Sequence, residues 1–445
     1  MLEQQKSYVL RMVEERGVRL VRLWFTDIVG NLKSFAISPA ELEGALEDGM
    51  TFDGSSIDGF SRVQESDVLA MPDANTFEVL PWGDPKSSEA RVFCDIHNLD
   101  GSPFEGDPRQ VLRRTLERAR ALGFTFLIAP DMEFFYFAPP VAGQRPQPLD
   151  EGGFFDLTTS DVAGSLRKQT IRTLETMSIP VEYSFHEDAP SQHEIDLRHT
   201  DALTMADSVM TFRLVVKEVA AANGVHATFM PKPLEGVQGS GMHTHLSLFS
   251  GDENAFFSAD DPYNLSTIAK QFMAGLLHHA SEITAITNQT VNSYKRLVPG
   301  FEAPVHVSWA RNNRSGLIRV PIPKRGNPLA TRLEYRAADP ACNPYLAFSL
   351  LLAAGLKGIE RGYELPPEAD ANLFEMSDRD LAKLGIDQLP PSLSDALRAM
   401  ESSELVLDAL GEHIFEWFLR NKRSEWRAYK THVSDFELGR YLRSL

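Results

Sequence analysis

Three stretches of this sequence alternate hydrophobic and polar residues with a period of two, which is typical of strands that bury one face. They span 129–137, 239–249 and 331–336. The polar residues that share a face are Asp131 and Glu133 in the first stretch, His243, His245 and Ser247 in the second, and Arg332, Glu334 and Arg336 in the third. Each stretch alone fits a half-buried strand whose polar face meets water. Because all three have strongly apolar flanks, together they favour a sheet whose polar face lines a cavity.

Segments with a helical period of 3.6 alternate with these β-rich stretches. Ser38, Pro39 and Glu41 predict a capping box at a helix start, and Asp107 with Pro108 begins another helix that Gly123 ends. The remaining predicted helices span about 4–16, 161–177, 202–222, 266–284, 343–361 and 392–420.

A cluster of Gly and Pro before Asp107 predicts a domain boundary near residue 105. We therefore expect an amino-terminal domain over 1–104 and a larger one over 105–445. Beyond the boundary, β-rich and helical segments alternate irregularly, which predicts an α+β fold in which helices pack on a sheet.

Composition narrows the classes of function. The 445 residues are 43 % hydrophobic and 24 % charged, which is ordinary for globular domains. A net charge of −18 argues against nucleic acid or an anionic membrane as the main partner. Two cysteines cannot form a disulfide framework, and the longest apolar run (345–356) is too short to span a bilayer. The amino-terminal residues do not resemble a signal peptide, so the cytoplasm is the expected location.

A cavity lined by these strands would bring several carboxylates together. Like charges at short range raise one another's pKa values unless a cation intervenes. Glu187 and Glu194, in the Pro-interrupted and loop-like stretch 186–196, add to the set. Carboxylates with one or two imidazoles and no thiolate favour Mg²⁺ or Mn²⁺.

Arginines form a complementary cluster within about forty residues and suggest bidentate docking of phosphate or carboxylate groups. Its members are Arg296, Arg311, Arg314, Arg319, Arg332 and Arg336. Divalent cations that face arginines are what phosphoryl transfer requires. The sequence contains neither a Walker-type phosphate loop nor the kinase signature set, so a nucleotide would bind in another way.

Along essentially its whole length, the chain resembles bacterial type I glutamine synthetase. The motifs that carry the resemblance are 52–60, 129–135, 186–196, 229–233, 239–249, 292–304, 310–321 and 343–356. The resemblance implies a small β-grasp-like amino-terminal domain, followed by a large catalytic domain with a curved antiparallel sheet, a half-barrel, packed by helices.

The resemblance also implies roles for individual residues. One divalent cation would be held by Glu133, Glu187 and Glu194, and a second by Asp131, His243 and Glu334. The nucleotide would contact Lys232, His245, Ser247, Arg314, Arg319 and Arg332. The amino-acid substrate would contact Gly239, Arg296 and Arg336, while Asp53 would bind ammonium and take its proton. Glu302 would close over the intermediate, and Arg314 would also act in catalysis.

The implied reaction is ATP-dependent ligation of ammonia to the γ-carboxylate of L-glutamate through γ-glutamyl phosphate. It would use two or more Mg²⁺ or Mn²⁺ ions per site, in a dodecamer of two stacked hexameric rings with sites between subunits. A γ-glutamyl-amine ligase of the same superfamily, acting on a polyamine or ethanolamine, is the main alternative. A non-catalytic structural homologue is disfavoured by the full metal and arginine sets, and a phosphagen kinase would need no ammonium site.

Four positions distinguish this chain within the resemblance. Asp131 stands where glutamate is usual, and Gln238 stands where asparagine is usual. Phe374 occupies the position of a modifiable tyrosine, so control by adenylylation should be absent. Arg62 agrees with the shorter subtype, in which an arginine here relates to feedback inhibition by glutamine.

Overall fold

The computed structural model of the chain describes residues 2–57, 59, 67–83, 87–157, 162–301, 303–311, 315–322, 327–369 and 373–445. Within these ranges the amino-terminal part forms a six-stranded sheet in the order β2-β1-β6-β4-β3, with β5 paired to β6. The strands are β1 Leu20–Thr26, β2 Leu32–Ile37, β3 Met50–Asp53, β4 Asp67–Pro72, β5 Glu78–Val79 and β6 Glu89–His97. The helices α1 Leu2–Glu15 and α2 Leu42–Asp48 accompany it. β1 and β6 run parallel, and β1 forms an antiparallel hairpin with β2.

The larger part is built on a curved, mostly antiparallel sheet that has ten strands among the described residues, in the order β14-β15-β16-β12-β7-β9-β8. β10 and β11 pair with β7, and β13 pairs with β12. The strands are β7 Thr125–Phe137, β8 Val181–His186, β9 Gln192–Leu197, β10 Thr200–Asp201, β11 His226–Thr228, β12 Met242–Ser250, β13 Glu253–Asn254, β14 His306–Ala310, β15 Gly316–Arg319 and β16 Leu333–Tyr335. The α+β fold that the sequence pattern predicted is confirmed, as is the half-barrel that the resemblance implied.

Twelve helices are described in this part. They are α3 Pro108–Ala121, α4 Val162–Thr176, α5 Ala202–Ala222, α6 Thr267–His278, α7 Ala280–Thr287, α8 Ser293–Arg296, α9 Pro344–Arg361, α10 Asp378–Lys383, α11 Leu393–Glu401, α12 Glu404–Leu410, α13 Glu412–Thr431 and α14 Asp435–Tyr441. Several of them, α3, α4 and α5 among these, pack against the sheet. The central helix α9 is buried over most of its length, because its sequence is apolar on every side. Among the described residues, no helix combines the length and the apolarity that crossing a membrane requires.

Several predicted helix boundaries are confirmed. Asp107 caps α3 by accepting a hydrogen bond from the Arg109 N–H, and Pro108 occupies the first helical position. The helices predicted over 202–222 and 343–361 agree with α5 and α9 to within one residue.

Four local predictions are wrong. The single helix expected over 266–284 is two helices, α6 and α7, which meet at His279. Ser38 makes no side-chain capping hydrogen bond, and a 3₁₀ turn over Pro39–Glu41 precedes α2. The single helix expected over 392–420 is three helices, because Ser403 caps a new start and Gly411, at φ 80°, interrupts the run. The stretch 186–196 is not a loop throughout, since its second half forms β9.

Candidate active site

The polar faces of β7, β9, β12, β15 and β16 line one cavity of about 770 Å³. The acidic groups and histidines come mainly from β7, β9 and β12, with Glu334 on β16. Of the arginines, Arg319 lies on β15, Arg332 and Arg336 flank β16, and Arg296 lies on α8. The alternating pattern of the sequence explains this arrangement, since Met242, Leu246 and Leu248 point into the apolar core while the histidines between them line the cavity. The predicted polar-lined cavity is therefore present.

Strand register sets the spacing of the acidic groups. His243 and Asp196 both lie directly opposite Asp131, on its two neighbouring strands. Two pairs further along, and so on the same face, Glu133 lies opposite Glu194. Cross-strand neighbours have Cβ atoms about 4.5–5.5 Å apart, so these side chains must interact.

His245 connects the acidic wall to the arginine wall. Its Nε2 lies 3.0 Å from Asp131 Oδ2, and its Nδ1 accepts a hydrogen bond of 3.1 Å from Arg332 Nε. Burial alone would lower the pKa of His245, but the carboxylate of Asp131 outweighs it and raises that pKa. A proton on Nε2 satisfies both contacts and orients the ring.

Glu334 lies between two arginines at the centre of the cavity. Its carboxylate accepts hydrogen bonds from Arg319 Nε and, at 3.2 Å, from Arg336 Nε. Burial would raise the pKa of Glu334, but His245, Arg336 and Arg319 together lower it. Glu334 is therefore held as a carboxylate that can both orient arginines and accept a cation.

Glu133 is surrounded by fixed donors and by other carboxylates. Its Oε2 accepts hydrogen bonds from the Gly241 N–H at 2.8 Å and from Gln192 Nε2 at 3.0 Å. Burial and the neighbouring carboxylate of Glu187 raise the pKa of Glu133 to about 8. Burial and Glu133 likewise raise the pKa of Glu194 well above its usual range.

This donor set fits divalent cations. The donor atoms of Asp131, His243 and Glu334 lie within 4.8 Å of one another, and His243 Nδ1 is 3.8 Å from Glu133 Oε1. Burial, Arg336 and Arg296 lower the pKa of His243 well below its usual value, so its ring is neutral and can act as a ligand. Buried carboxylates with raised pKa values take up either protons or a cation, and oxygen ligands with one imidazole suit Mg²⁺ or Mn²⁺.

Backbone geometry shapes one end of the cavity around Gly239. A Cβ at this position would lie 2.1 Å from the Pro231 carbonyl oxygen, so only glycine fits. The guanidinium of Arg296 is oriented beside it by hydrogen bonds to the carbonyls of Ala337 at 2.8 Å and Arg336 at 3.2 Å.

Comparison with known proteins identifies the family. Residues 105–441 match the family model described as "Glutamine synthetase, catalytic domain", and residues 17–99 match "Glutamine synthetase, beta-Grasp domain". The glutamine synthetase of Mycolicibacterium smegmatis is 56 % identical over 444 residues, which cover 99 % of this chain and 100 % of that protein. The Thermotoga maritima glutamine synthetase is 49 % identical over 435 residues, 98 % of each chain. The chain belongs to the glutamine synthetase family.

Solved structures show the same fold. A complex of GmaS with ADP superposes with a TM-score of 0.88 at 31 % identity, covering 98 % of this chain and 99 % of that one. The glutamine synthetase of Plasmodium falciparum gives a TM-score of 0.87 at 25 % identity, covering 99 % and 98 %. Full-length identity of up to 56 % with glutamine synthetases identifies the enzyme as a glutamate–ammonia ligase, and the γ-glutamyl-amine ligase alternative is not favoured.

Most residues predicted for the glutamine synthetase site come together in the cavity. Its lining includes Asp131, Glu133, Glu187, Glu194, Gly239, His243, His245, Ser247, Arg296, Arg319, Arg332, Glu334 and Arg336. Lys232 is not in that lining. Its amino group lies 3.9 Å from the ring centre of Phe301, which does line the cavity, and donates to the Val237 carbonyl.

Five predicted positions lie away from the cavity or outside the described residues. Asp53 is exposed at the end of β3, where its carboxylate accepts a hydrogen bond of 2.8 Å from the Ser55 N–H, and it does not line the cavity of its own chain. Glu302, Arg314 and Arg62 lie outside the described residues. Arg311 leaves the predicted arginine cluster, because it pairs with Glu368 and stacks over Tyr263.

Sequence reasoning missed several polar residues that line the cavity, among them Glu182, Asp196 and His199. Asp196 is the most informative, since its donor atom lies within 4.8 Å of those of Asp131 and Glu194. Burial and Asp131 raise the pKa of Asp196 to about 7. The alternation Glu194-x-Asp196 was the available signal, but it was hidden because the stretch looked like a loop.

Proposed function

We propose that the cavity makes L-glutamine, ADP and phosphate from L-glutamate, ammonia and ATP in two steps. The γ-carboxylate first attacks the terminal phosphate of ATP to form γ-glutamyl phosphate, and ammonia then displaces phosphate. The observation that carries the proposal is the meeting of an acidic, histidine-containing wall and an arginine wall in one cavity. Such a site can hold a polyanionic nucleotide beside a carboxylate substrate.

Two divalent cations, Mg²⁺ or Mn²⁺, are proposed for the acidic wall. Glu133, Glu187 and Glu194 would hold one, and Asp131, His243 and Glu334 the other. When bound, such cations neutralise charge on the phosphates of the nucleotide. Register supports both sets, since Glu133 lies opposite Glu194 and Asp131 lies opposite His243.

The arginine wall is proposed to bind the phosphates. Arg319 and Arg332 would contact the nucleotide with Arg314, while His245 and Ser247 would face it from β12 and Lys232 would approach from beside Phe301. The contact of His245 with Arg332 supports this grouping, because the ring holds the guanidinium in place. Oriented guanidinium groups stabilise charge that spreads over the transferred phosphoryl group without reorganising during the reaction.

The amino-acid substrate is proposed to bind between Arg296, Arg336 and the backbone at Gly239. Both guanidinium groups are held by carbonyl or carboxylate acceptors, and Gly239 leaves room for a ligand to approach the backbone. Two fixed arginines suit the α-carboxylate of glutamate.

Asp53 is proposed to serve the site of a neighbouring subunit, where it would bind ammonium and take its proton. Its exposure outside the cavity of its own chain supports a role across an interface. Glu302 would close over the intermediate and exclude water. These roles imply a homo-oligomer, which we propose to be a dodecamer of two stacked hexameric rings in the cytoplasm.

We also propose a domain boundary between residues 104 and 105. Separate sheets on either side, and a distinct apolar core under the first sheet, support it.

The amine acceptor is tested by phosphate release from ATP and glutamate in the presence of ammonium, putrescine or ethanolamine. Ammonium should support release with equimolar glutamine formation, while the two organic amines should give little release above the amine-free rate. Strong release only with an organic amine would contradict the proposal.

A further inference from the structure

A second polar cluster lies behind the cavity, on the side of the β8–β9 hairpin that faces away from it. It consists of Asp150, Arg167, His186, Ser191 and His193, and we call it the Asp150 cluster. None of its members lines the cavity. All of them are among the described residues, and the proposed reaction uses none of them.

Asp150 gathers three donors on one oxygen. Its Oδ1 lies 2.9 Å from the Ser191 N–H, 3.1 Å from the Gly152 N–H and 2.9 Å from His186 Nε2. Its Oδ2 lies 3.9 Å from His193 Nε2. One carboxylate thus connects both strands of the hairpin and the turn between them.

The two histidines directly precede two of the proposed cation ligands. His186 and His193 pair in register across β8 and β9, and Glu187 and Glu194 follow them in the chain. His186 Nδ1 also lies 2.6 Å from the Glu187 carbonyl oxygen. Because neighbouring side chains of a strand point to opposite faces, fixing a histidine behind the sheet fixes the glutamate beside it in front.

The turn between the strands is held in an unfavourable conformation. Ser191 is fully buried with φ 58°, a region that residues other than glycine rarely adopt. Its hydroxyl accepts hydrogen bonds from the N–H groups of Leu149 at 2.6 Å and Asp150 at 3.1 Å. The surrounding contacts therefore maintain a backbone geometry that would otherwise relax.

The same contacts hold a segment of the cavity wall. The Phe155 N–H donates to the His186 carbonyl at 3.0 Å, and Phe154 and Phe155 both line the cavity. The Asp150 cluster therefore fixes the hairpin and this aromatic wall together.

A cation bound within the Asp150 cluster explains these contacts less well than a positioning role does. Donor atoms of Asp150, His186 and His193 do lie within 4.8 Å of one another. However, Arg167 Nη1 lies 2.6 Å from His193 Nδ1, and a guanidinium can only donate. Nδ1 must then be the acceptor and Nε2 must carry the proton, so the nitrogen that faces Asp150 has no lone pair for a metal.

We propose that Asp150 is a positioning residue, whose hydrogen bonds behind the sheet keep Glu187 and Glu194 at the spacing with which they bind a divalent cation. This inference rests on the proposed cation ligands. Groups that orient metal ligands typically change metal affinity by about 10- to 100-fold when they are removed.

The test compares Asp150→Ala with Asp150→Asn in the full-length, metal-stripped protein. Mn²⁺ binding is measured from the electron paramagnetic resonance signal of free Mn²⁺, and circular dichroism checks the fold. Asp150→Ala should weaken Mn²⁺ binding by about 10- to 100-fold. The Mn²⁺ affinity of Asp150→Asn should be much closer to that of the wild type, because the amide oxygen of asparagine can accept the same three hydrogen bonds. Wild-type affinity in Asp150→Ala, or an equal loss in both variants, would overturn the proposal.

A steric pair of variants tests the same idea without removing any polar group. A Cβ at Gly152 would lie 2.7 Å from His186 Nε2, whereas a Cβ at Gly153 would meet its nearest atom, Asp156 Oδ2, at 3.8 Å. Gly152→Ala should therefore displace the imidazole and weaken Mn²⁺ binding, while Gly153→Ala should leave it unchanged. Equal affinity in these two variants would contradict the positioning role, even if Asp150→Ala failed to fold.

Glu194→Gln separates this inference from the function on which it rests. If Glu194→Gln binds Mn²⁺ as tightly as the wild type, the proposed ligand set is wrong. If Glu194→Gln weakens binding and a folded Asp150→Ala does not, only the positioning role fails.

Discussion

At the scale of single residues, the site is organised by side chains that touch both of its walls. His245 contacts Asp131 on one side and Arg332 on the other, and Glu334 contacts Arg319 and Arg336. Each of these groups limits the rotation of its neighbours. Such preorganisation matters because it places charges before the substrate arrives.

Replacing His245 with alanine should remove both contacts of the ring. We expect kcat/KM for ATP to fall by about 10- to 100-fold, because a hydrogen bond to a charged group contributes about 1.5–3 kcal/mol. His226→Ala is the matched control, since that histidine is exposed on β11 and does not line the cavity. Steady-state kinetics measure kcat/KM for ATP in both variants. An unchanged value in His245→Ala would show that the imidazole ring is not needed.

Alternation explains which site residues could be predicted from sequence. His243, His245, Ser247, Asp131 and Glu133 all lie where a period of two places them. Asp196 follows the same alternation, but Pro190 made the stretch before it resemble a loop, so the strand β9 was not predicted there. The pairing of Arg311 with Glu368 joins residues 57 apart, and local sequence pattern does not encode such a contact.

At the scale of elements, close packing of α6 against α9 supports the back of the cavity sheet. A Cβ at Gly358 would lie 2.1 Å from the Gln271 carbonyl oxygen and 2.7 Å from the Gly275 nitrogen. A Cβ at Gly275 would lie 2.2 Å from the Ala354 carbonyl oxygen. The two helix backbones therefore touch, and neither can accept a side chain at these positions. The sequence predicted a helix at the position of α9, but the partner helix that it touches follows only from the fold.

Gly358→Ala should force α6 and α9 apart. Overpacking of this kind typically costs about 1–3 kcal/mol, so the variant should unfold at a lower temperature than the wild type. Gly439→Ala in α14 is the control, because its Cβ would meet nothing within 4 Å and alanine favours a helix. Differential scanning calorimetry measures the unfolding temperatures. An unfolding temperature of Gly358→Ala equal to or above that of the wild type would contradict the close packing of α6 and α9.

At the scale of the whole molecule, a buried ion network joins the first sheet to helices α3 and α5 of the larger part. Arg109, at the start of α3, contacts Asp73 and Asp95 beside the first sheet and Asp207 on α5. Arg113 adds contacts with Asp73 and Asp95. Arg109 is only 3 % exposed and compensates the charge of all three carboxylates inside the protein, while Arg113 shares that role at Asp73 and Asp95. Sequence predicted the helix start at Asp107 but not this network, which joins residues up to 134 positions apart (Asp73 to Asp207).

Arg109→Met should destabilise the protein by about 3–5 kcal/mol at neutral pH, because it removes the guanidinium that pairs with the buried carboxylate of Asp207 and leaves Asp73 and Asp95 with Arg113 alone. Arg118→Met on the same helix should cost less than about 1 kcal/mol, since its pair with Glu360 is largely exposed. The unfolding temperatures of Arg109→Met and Arg118→Met measure this difference in stability. Equal unfolding temperatures in the two variants would contradict the role of the network.

The network also predicts how stability depends on pH. Burial would raise the pKa of Asp73, but Arg109 and Arg113 outweigh it and lower that pKa below the ordinary value. A carboxylate with a lowered pKa stabilises the folded state above its unfolded pKa, about 3.9, and this stability is lost as pH falls through the folded value. The gap in unfolding temperature between the wild type and Arg109→Met should therefore narrow below about pH 4, and a constant gap would contradict the assignment.

The central claim is that the acidic wall binds divalent cations opposite a phosphate-binding arginine wall. The most direct measurement is anomalous X-ray scattering at the manganese edge from crystals of the full-length protein with Mn²⁺ and ADP. The account predicts one manganese peak among Asp131, His243 and Glu334 and another among Glu133, Glu187 and Glu194, with the phosphates of ADP directed towards Arg319 and Arg332. Manganese bound away from both groups of side chains, or phosphates directed away from the arginines, would contradict it.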